Sequence, residues 1–172
     1  LKCDLVEVCC SPESNLTKIV VEKGGKAFRV NFETNMDLLT ETGFQRASHF
    51  INIVRPRYLW VSPDCGPTSV VQNMNQRNEK QIKRLKQKVR KARKLAANVV
   101  KLCQQQLAQG GDLGWEWPRS NRGWLLKEVR EFFDSLEREG MLWIAKLDGC
   151  MVDVRAPDTG ELMNKPWTIK TT

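Results

Sequence analysis

The chain has 172 residues, 41% of them apolar and 28% charged, which fits one ordinary globular domain with a sizeable core. No apolar run reaches the roughly 20 residues that a membrane-spanning helix needs, so no membrane partner is expected. The net charge of +8 is a local feature: residues 77–94, "RNEKQIKRLKQKVRKARK", hold ten Lys/Arg against one Glu, and everything else sums to about −1.

The sequence starts at Leu1 with neither an initiator methionine nor a signal-peptide pattern, which predicts a piece of a longer polypeptide, with neighbouring domains as possible partners. The six cysteines, Cys3, Cys9, Cys10, Cys65, Cys103 and Cys150, are scattered without CxxC spacing, and only His49 could complete a ligand set. No metal site and no disulfide framework is expected; reduced thiols predict an intracellular protein, nuclear or cytoplasmic.

In chain order, "CDLVEVCC" (3–10) reads as a buried strand. "SPESNLTKIVVEKGG" (11–25) opens with cap residues, continues with Leu16, Ile19 and Val20 at helical spacing, and stops at paired glycines. "KAFRVNF" (26–32) alternates as a second strand. Residues 40–56 form a helix with Phe44, Ala47, Phe50, Ile51 and Val54 on one face, ended by Pro56, and 57–63 are the third strand. In 76–109, Ile82, Leu85, Val89, Ala92, Ala96, Val99 and Cys103 recur at three- and four-residue steps, predicting one long amphipathic basic helix. A strand at 112–118, a capped helix at 120–140, a strand at 141–148 and two strands around the turn "PDTG" complete the pattern. Alternating strands and helices predict an α/β sheet with helices on both faces and a C-terminal β-hairpin.

In such sheets ligands bind at the carboxyl ends of the strands. "CCSPES", "NFETNMD", "SPDCGPTS" and "EWPRSN" all fall there. Cys65, in a turn between Pro63 and Pro67, is either a small buried hydrophobe or a held nucleophile. Glu116, between Trp115 and Trp117, is either an exposed strand-end acid or a carboxyl whose pKa rises by burial until it can donate a proton. Arg155 could hold a phosphate or a carbonyl oxygen, or be a solvated strand residue. Glu7, Glu33 and Asp37 lie at or near the ends of the first two strands, where a carboxylate can bind ribose hydroxyls, but no GxGxxG follows the first strand. The density of one charge sign at 77–94 favours a nucleic-acid backbone over a merely solvated face, with Arg77, Lys83, Arg84, Lys86, Arg90, Lys91 and Lys94 as contacts and Asn73, Asn75 and Gln76 offering amides nearby.

The succession of a strand, "SPDCGPTS", a long helix, "EWPRSN", a helix and "CMVDVR" resembles the DNA cytosine-5 methyltransferases. More closely, it resembles the divergent methyltransferase-like domains of retroelement polyproteins, in which "PRYLWVSP", "CGPTS", "QNMNQRN" and "KPWTIKTT" have counterparts. The resemblance spans nearly the whole chain and implies a single domain with a Rossmann-like S-adenosylmethionine-dependent methyltransferase sheet. It implies Cys65 as the nucleophile on carbon 6 of a cytosine, Glu116 as the group protonating the ring and Arg155 near the ring carbonyl. It also implies S-adenosylmethionine as the methyl donor, over the exit of the first strand, with Glu7, Cys9, Ser11, Glu33, Asp37, Ser62 and Pro63 as its candidate contacts. DNA ranks ahead of RNA as the nucleic-acid partner.

The sequence departs from that family in four ways. The glycine-rich turn after the first strand is "VCCSPESN"; Pro-Pro-Cys has become Pro63-Asp64-Cys65, which sets an anion beside the thiol; one strand–helix unit is missing between Glu33 and the third strand; and there is no separate target-recognition domain. "SPDC" also resembles the (Asp/Asn/Ser)-Pro-Pro-aromatic turn of amino-methyltransferases, without its aromatic residue. The rival expectation is therefore a catalytically inactive module of the same shape that binds nucleic acid through its basic helix.

Overall fold

A computed structural model of the chain describes residues 3–75 and 78–172. Six strands, β1 (Cys3–Val8), β2 (Ala27–Val30), β3 (Pro56–Val61), β4 (Asp112–Pro118), β5 (Trp143–Asp148) and β6 (Pro166–Thr171), form one sheet in the order β2-β1-β3-β4-β6-β5. The first four are parallel. β6 runs antiparallel to both of its neighbours, pairing Glu116 with Ile169 on one side and Ala145 with Ile169 on the other. The chain is therefore α/β with a mixed sheet, compatible with a Rossmann-like fold.

The helices are α1 (Asn15–Glu22), α2 (Glu41–Val54), α3 (Glu79–Ala108) and α4 (Lys127–Arg138). Strand periodicity divides them between the faces. Val6, Val8, Leu59, Val61, Leu113, Trp115 and Trp117 are buried in one cluster with Ala47, Ile51 and Val54 of α2, Ala96, Val99, Leu102 and Cys103 of α3, and Val129, Phe132, Phe133 and Leu136 of α4. Glu7, between Val6 and Val8, points the other way and meets α1, which packs on β1 and β2. Right-handed crossovers explain the split: α1 carries the chain toward one edge, α2 and α3 toward the other.

Local chemistry sets the boundaries. Thr40 accepts from the Gly43 amide to start α2, and Arg55, in the left-handed region at φ 42°, ends it before Pro56 opens β3. Asn78 caps α3, its side chain accepting from the Gln81 amide at 2.9 Å. The helix expected at 120–140 is broken: Arg122–Leu125 make a 3₁₀ turn, Leu126 is extended, and the α-helix starts at Lys127. The terminal segment also differs from expectation. The "PDTG" loop forms an isolated bridge, Arg155 to Leu162, instead of a two-stranded hairpin, and the Ala156 and Met163 amides close it on the Glu161 and Val154 carbonyls after a 3₁₀ turn at Gly149–Val152. The "KPWTIKTT" segment instead runs into the sheet as β6, because a strand between β4 and β5 satisfies both of its hydrogen-bonding edges.

At the amino ends of β3 and β4, the fully buried Gln106 of α3 donates through Nε2 to the Pro56 carbonyl (2.7 Å) and the Asp112 carbonyl (3.2 Å). Gln106→Ala strands both carbonyls in the interior, so it should cost about 1–3 kcal/mol. A lowered urea midpoint at unchanged m-value would register this.

Candidate functional site

The chain leaves β1 to build β2 on one side and later crosses back to build β3 on the other, so a crevice opens between the carboxyl ends of β1 and β3. Cys9 forms its first wall. It turns out of β1 at φ 62°, a conformation that glycine adopts without strain, while its amide donates to the Val30 carbonyl at 2.9 Å. Its thiol is pushed up to about 12, chiefly by burial, and that of Cys10 likewise to about 12, so neither ionises near neutral pH. Beside them a cavity of about 210 Å³ is lined by Asn31, Met36, Asp37, Asp64 and Leu95, among others.

The second wall is the turn at 62–69, and side chains fix it at almost every position. Ser62 Oγ accepts from the Trp60 indole (2.9 Å), and the Pro63 carbonyl from the Trp117 indole (2.6 Å). Asp64 accepts from the Gly66 amide (2.8 Å), and Gln72 donates to the Gly66 carbonyl (3.0 Å). Asn121, buried just after β4, does most of the holding: its Nδ2 donates to the Cys65 carbonyl (2.9 Å), while its Oδ1 accepts from the Thr68 hydroxyl and the Gly123 amide, both at 2.7 Å. In the sequence Asn121 stands out only as the last residue of the "EWPRSN" strand exit, with nothing local to mark its side chain as the clamp.

The residues the resemblance assigns to catalysis do not converge. Cys65 is half-buried and packs against the helix-covered core. Glu116 projects from the opposite face of the sheet, as alternation with the buried Trp115 and Trp117 requires. Arg155 sits in the 149–165 excursion, paired with Asp153 at 2.6 Å and donating to the Gly160 carbonyl at 3.1 Å.

The candidate donor contacts also scatter. Asp37 lines the cavity, with one carboxylate oxygen accepting from the Leu39 amide at 2.9 Å. Glu33 is exposed on the following turn, and Ser11 accepts from the Glu13 amide. Glu7 is buried and its oxygens accept from the Ser14 hydroxyl, the Thr17 hydroxyl and the Thr17 amide, so it fills the amino end of α1 itself. Among the described residues no group of three or more His, Cys, Asp or Glu could hold a metal ion, and no helix is long and apolar enough to cross a membrane.

The basic helix borders the same region. A cavity of about 320 Å³ lies between Asp64, Gly66, Pro67 and Gln72 and the α3 residues Lys88, Lys91 and Leu95; it shares Asp64 and Leu95 with the strand-exit cavity. A larger one, about 470 Å³, lies between Pro67–Ser69 and Lys86 and Arg90, with Arg122 on its far side. Lys83, Arg84, Lys86, Arg90, Lys91 and Lys94 are all exposed, and Lys94 donates to the Leu39 carbonyl at 2.7 Å. Arg77, Gln76 and the side chains of Asn73 and Asn75 lie outside the described residues.

Two outcomes follow from this geometry. Asn121→Ala leaves the Cys65 carbonyl and the Thr68 hydroxyl only their long 3.4 Å contact with each other, which should cost about 1–3 kcal/mol and speed amide exchange in 66–69 more than in β3; uniform exchange rates would disprove the clamp. Glu116 has a pKa raised above its ordinary 4.5, chiefly by burial, with the Lys165 charge pulling it down and the Glu7 charge pushing it up. The folded state therefore binds this proton more tightly than the unfolded state, and stability falls as pH rises from the ordinary value through the folded one. Glu116→Gln should flatten that fall and make the protein more stable at pH 7, with no such gain once the pH is below 4.5; a pH series of thermal melts reads it.

No protein-family model matches the sequence, and no curated protein matches it either.

Proposed function

We propose that this chain is a nucleic-acid-binding module of methyltransferase-like shape, which holds a phosphate backbone along the amino-terminal half of α3, beside the 62–69 turn. One observation carries the reading: a row of exposed Lys and Arg borders two open grooves, and among the described residues its ion pairing is limited to Arg93 with Glu128, at 2.9 Å. Like charges held this close on a rigid helix repel one another; the phosphates of a polyanion offset that repulsion, and binding is driven further by release of the counterions condensed on them.

S-adenosylmethionine, which the family resemblance implies, fits the strand-exit cavity in part. Met36 and Leu95 give apolar walls and Asp37 a polar rim suited to an adenosine group, while the Asn31 side-chain amide is already bonded to the Cys10 carbonyl and the Thr34 amide. Its amino-acid end lacks a comparable place. The amino end of α1, where folds of this kind bind an anionic group, is already occupied by the Glu7 carboxylate. The volume of about 210 Å³ also falls below the roughly 300–1,000 Å³ of ligand pockets. A second reading, methyl transfer to the bound nucleic acid, has one observation in its favour: Asp64 lines both this cavity and the adjoining groove, so donor and acceptor would meet there.

Isothermal titration with S-adenosylmethionine and S-adenosylhomocysteine separates the two readings. The binding module should give no saturable heat while still retarding labelled nucleic acid, its log affinity falling linearly with log salt between about 50 and 200 mM. Saturable donor binding, together with methyl transfer that Cys65→Ser abolishes, would establish the second reading instead.

A further inference from the structure

The form of nucleic acid can be argued from how α3 presents its charge, and this step rests on the proposed function. An α-helix turns 100° per residue, so the apolar positions Ile82, Leu85, Val89 and Ala92 share one face. Lys86 and Arg90 flank that face on one side and border the larger groove with Arg122. Lys88 and Lys91 flank it on the other side and border the groove under Asp64 and Gly66. Lys80, Lys83, Arg84 and Gln87 occupy the outward positions between the flanks, all exposed, whereas Lys94 turns back to the Leu39 carbonyl. The helix is thus a ridge between two grooves, with cations on both slopes and on its crest from Lys80 to Lys91, over about 18 Å of its length.

A single strand has one backbone, and proteins that bind it track that backbone with one basic groove while stacking its bases on aromatic rings. Along α3 the arrangement differs from that pattern. The charge lies on both slopes, and neither α3 nor the lining of either groove contains a Phe, Tyr or Trp. A double helix offers two backbones on either side of a groove. The major groove of B-form DNA, about 12 Å wide, admits an α-helix, whereas the A-form major groove of RNA is too narrow and deep for side chains to read.

We infer that the amino-terminal half of α3 lies in the major groove of B-form duplex DNA. Lys86 and Arg90 contact the phosphates of one strand, Lys88 and Lys91 those of the other, and Lys83 and Gln87 face the base edges.

Fluorescence anisotropy with the 172-residue chain tests this, using a labelled 20-base-pair DNA duplex, either of its single strands, and an RNA duplex of matching sequence. The DNA duplex should bind at least about tenfold more tightly than the other two. K86Q/R90Q and K88Q/K91Q should each lower the salt slope by about 1.8, one phosphate contact per residue removed. Gln keeps helix propensity high, and unchanged circular dichroism would exclude unfolding as the cause. A single strand or RNA duplex that binds as well as the DNA duplex overturns the groove assignment while leaving the nucleic-acid reading standing. A slope insensitive to one flank pair overturns it as well. Failure of all three probes to bind overturns the proposed function itself.

Discussion

The two-residue period of β4 is the constraint on which most else depends. Because neighbouring side chains on a strand must face opposite ways, Trp115 and Trp117 can be core residues only if Glu116 is not. The tryptophans are deeply committed: Trp115 stacks edge-on with Trp117 and Phe133, and Trp117 with Trp124, so α4 and the 3₁₀ turn before it are seated on them. Freeing Glu116 to meet Cys65 would mean turning these indoles out of the core. A one-residue slip would do it, and register next to β3 and β6 forbids a slip.

The same strand also organises the turn at 62–69. Trp117 holds the Pro63 carbonyl, and Asn121, three residues past the end of β4, holds the Cys65 carbonyl and the Thr68 hydroxyl. A turn bound this way has little freedom to rearrange around a ligand. It serves well as a stiff wall for the grooves beside α3, with the Pro63, Cys65 and Gly66 carbonyls all accepting from side chains of the protein.

Much of the fold was legible because its signals are local. Ile82 to Cys103 at helical steps marked α3, the glycine pair at 24–25 marked the end of the first helical segment, and the apolar run of β1 marked a buried strand. The pairing of β6 was not legible. "KPWTIKTT" reads as a strand whatever it pairs with, and the choice between the "CMVDVR" segment and the gap between β4 and β5 is decided by long-range hydrogen bonding. The site was half legible for a related reason. The order of elements put "CCSPES", "NFETNMD" and "SPDCGPTS" at one edge of the sheet, where Cys9, Asp37 and Asp64 line a common cavity, but it could not say that Glu7 would be consumed by α1 or that Arg155 would close on Asp153.

The position of β6 has a consequence for how the molecule is made. β5 reaches the rest of the sheet only through β6, which is the later of the two in sequence. On a ribosome, β5 would emerge with Trp143 and Ile144, both largely exposed even in the finished fold, and wait with neither edge paired until residues 166–171 arrived. During that interval four parallel strands could already have assembled, their outer edge at β4 open to any extended segment nearby. Synthesis speed and chaperone supply over that stretch would then govern the yield of correctly closed sheet more than the strength of its core.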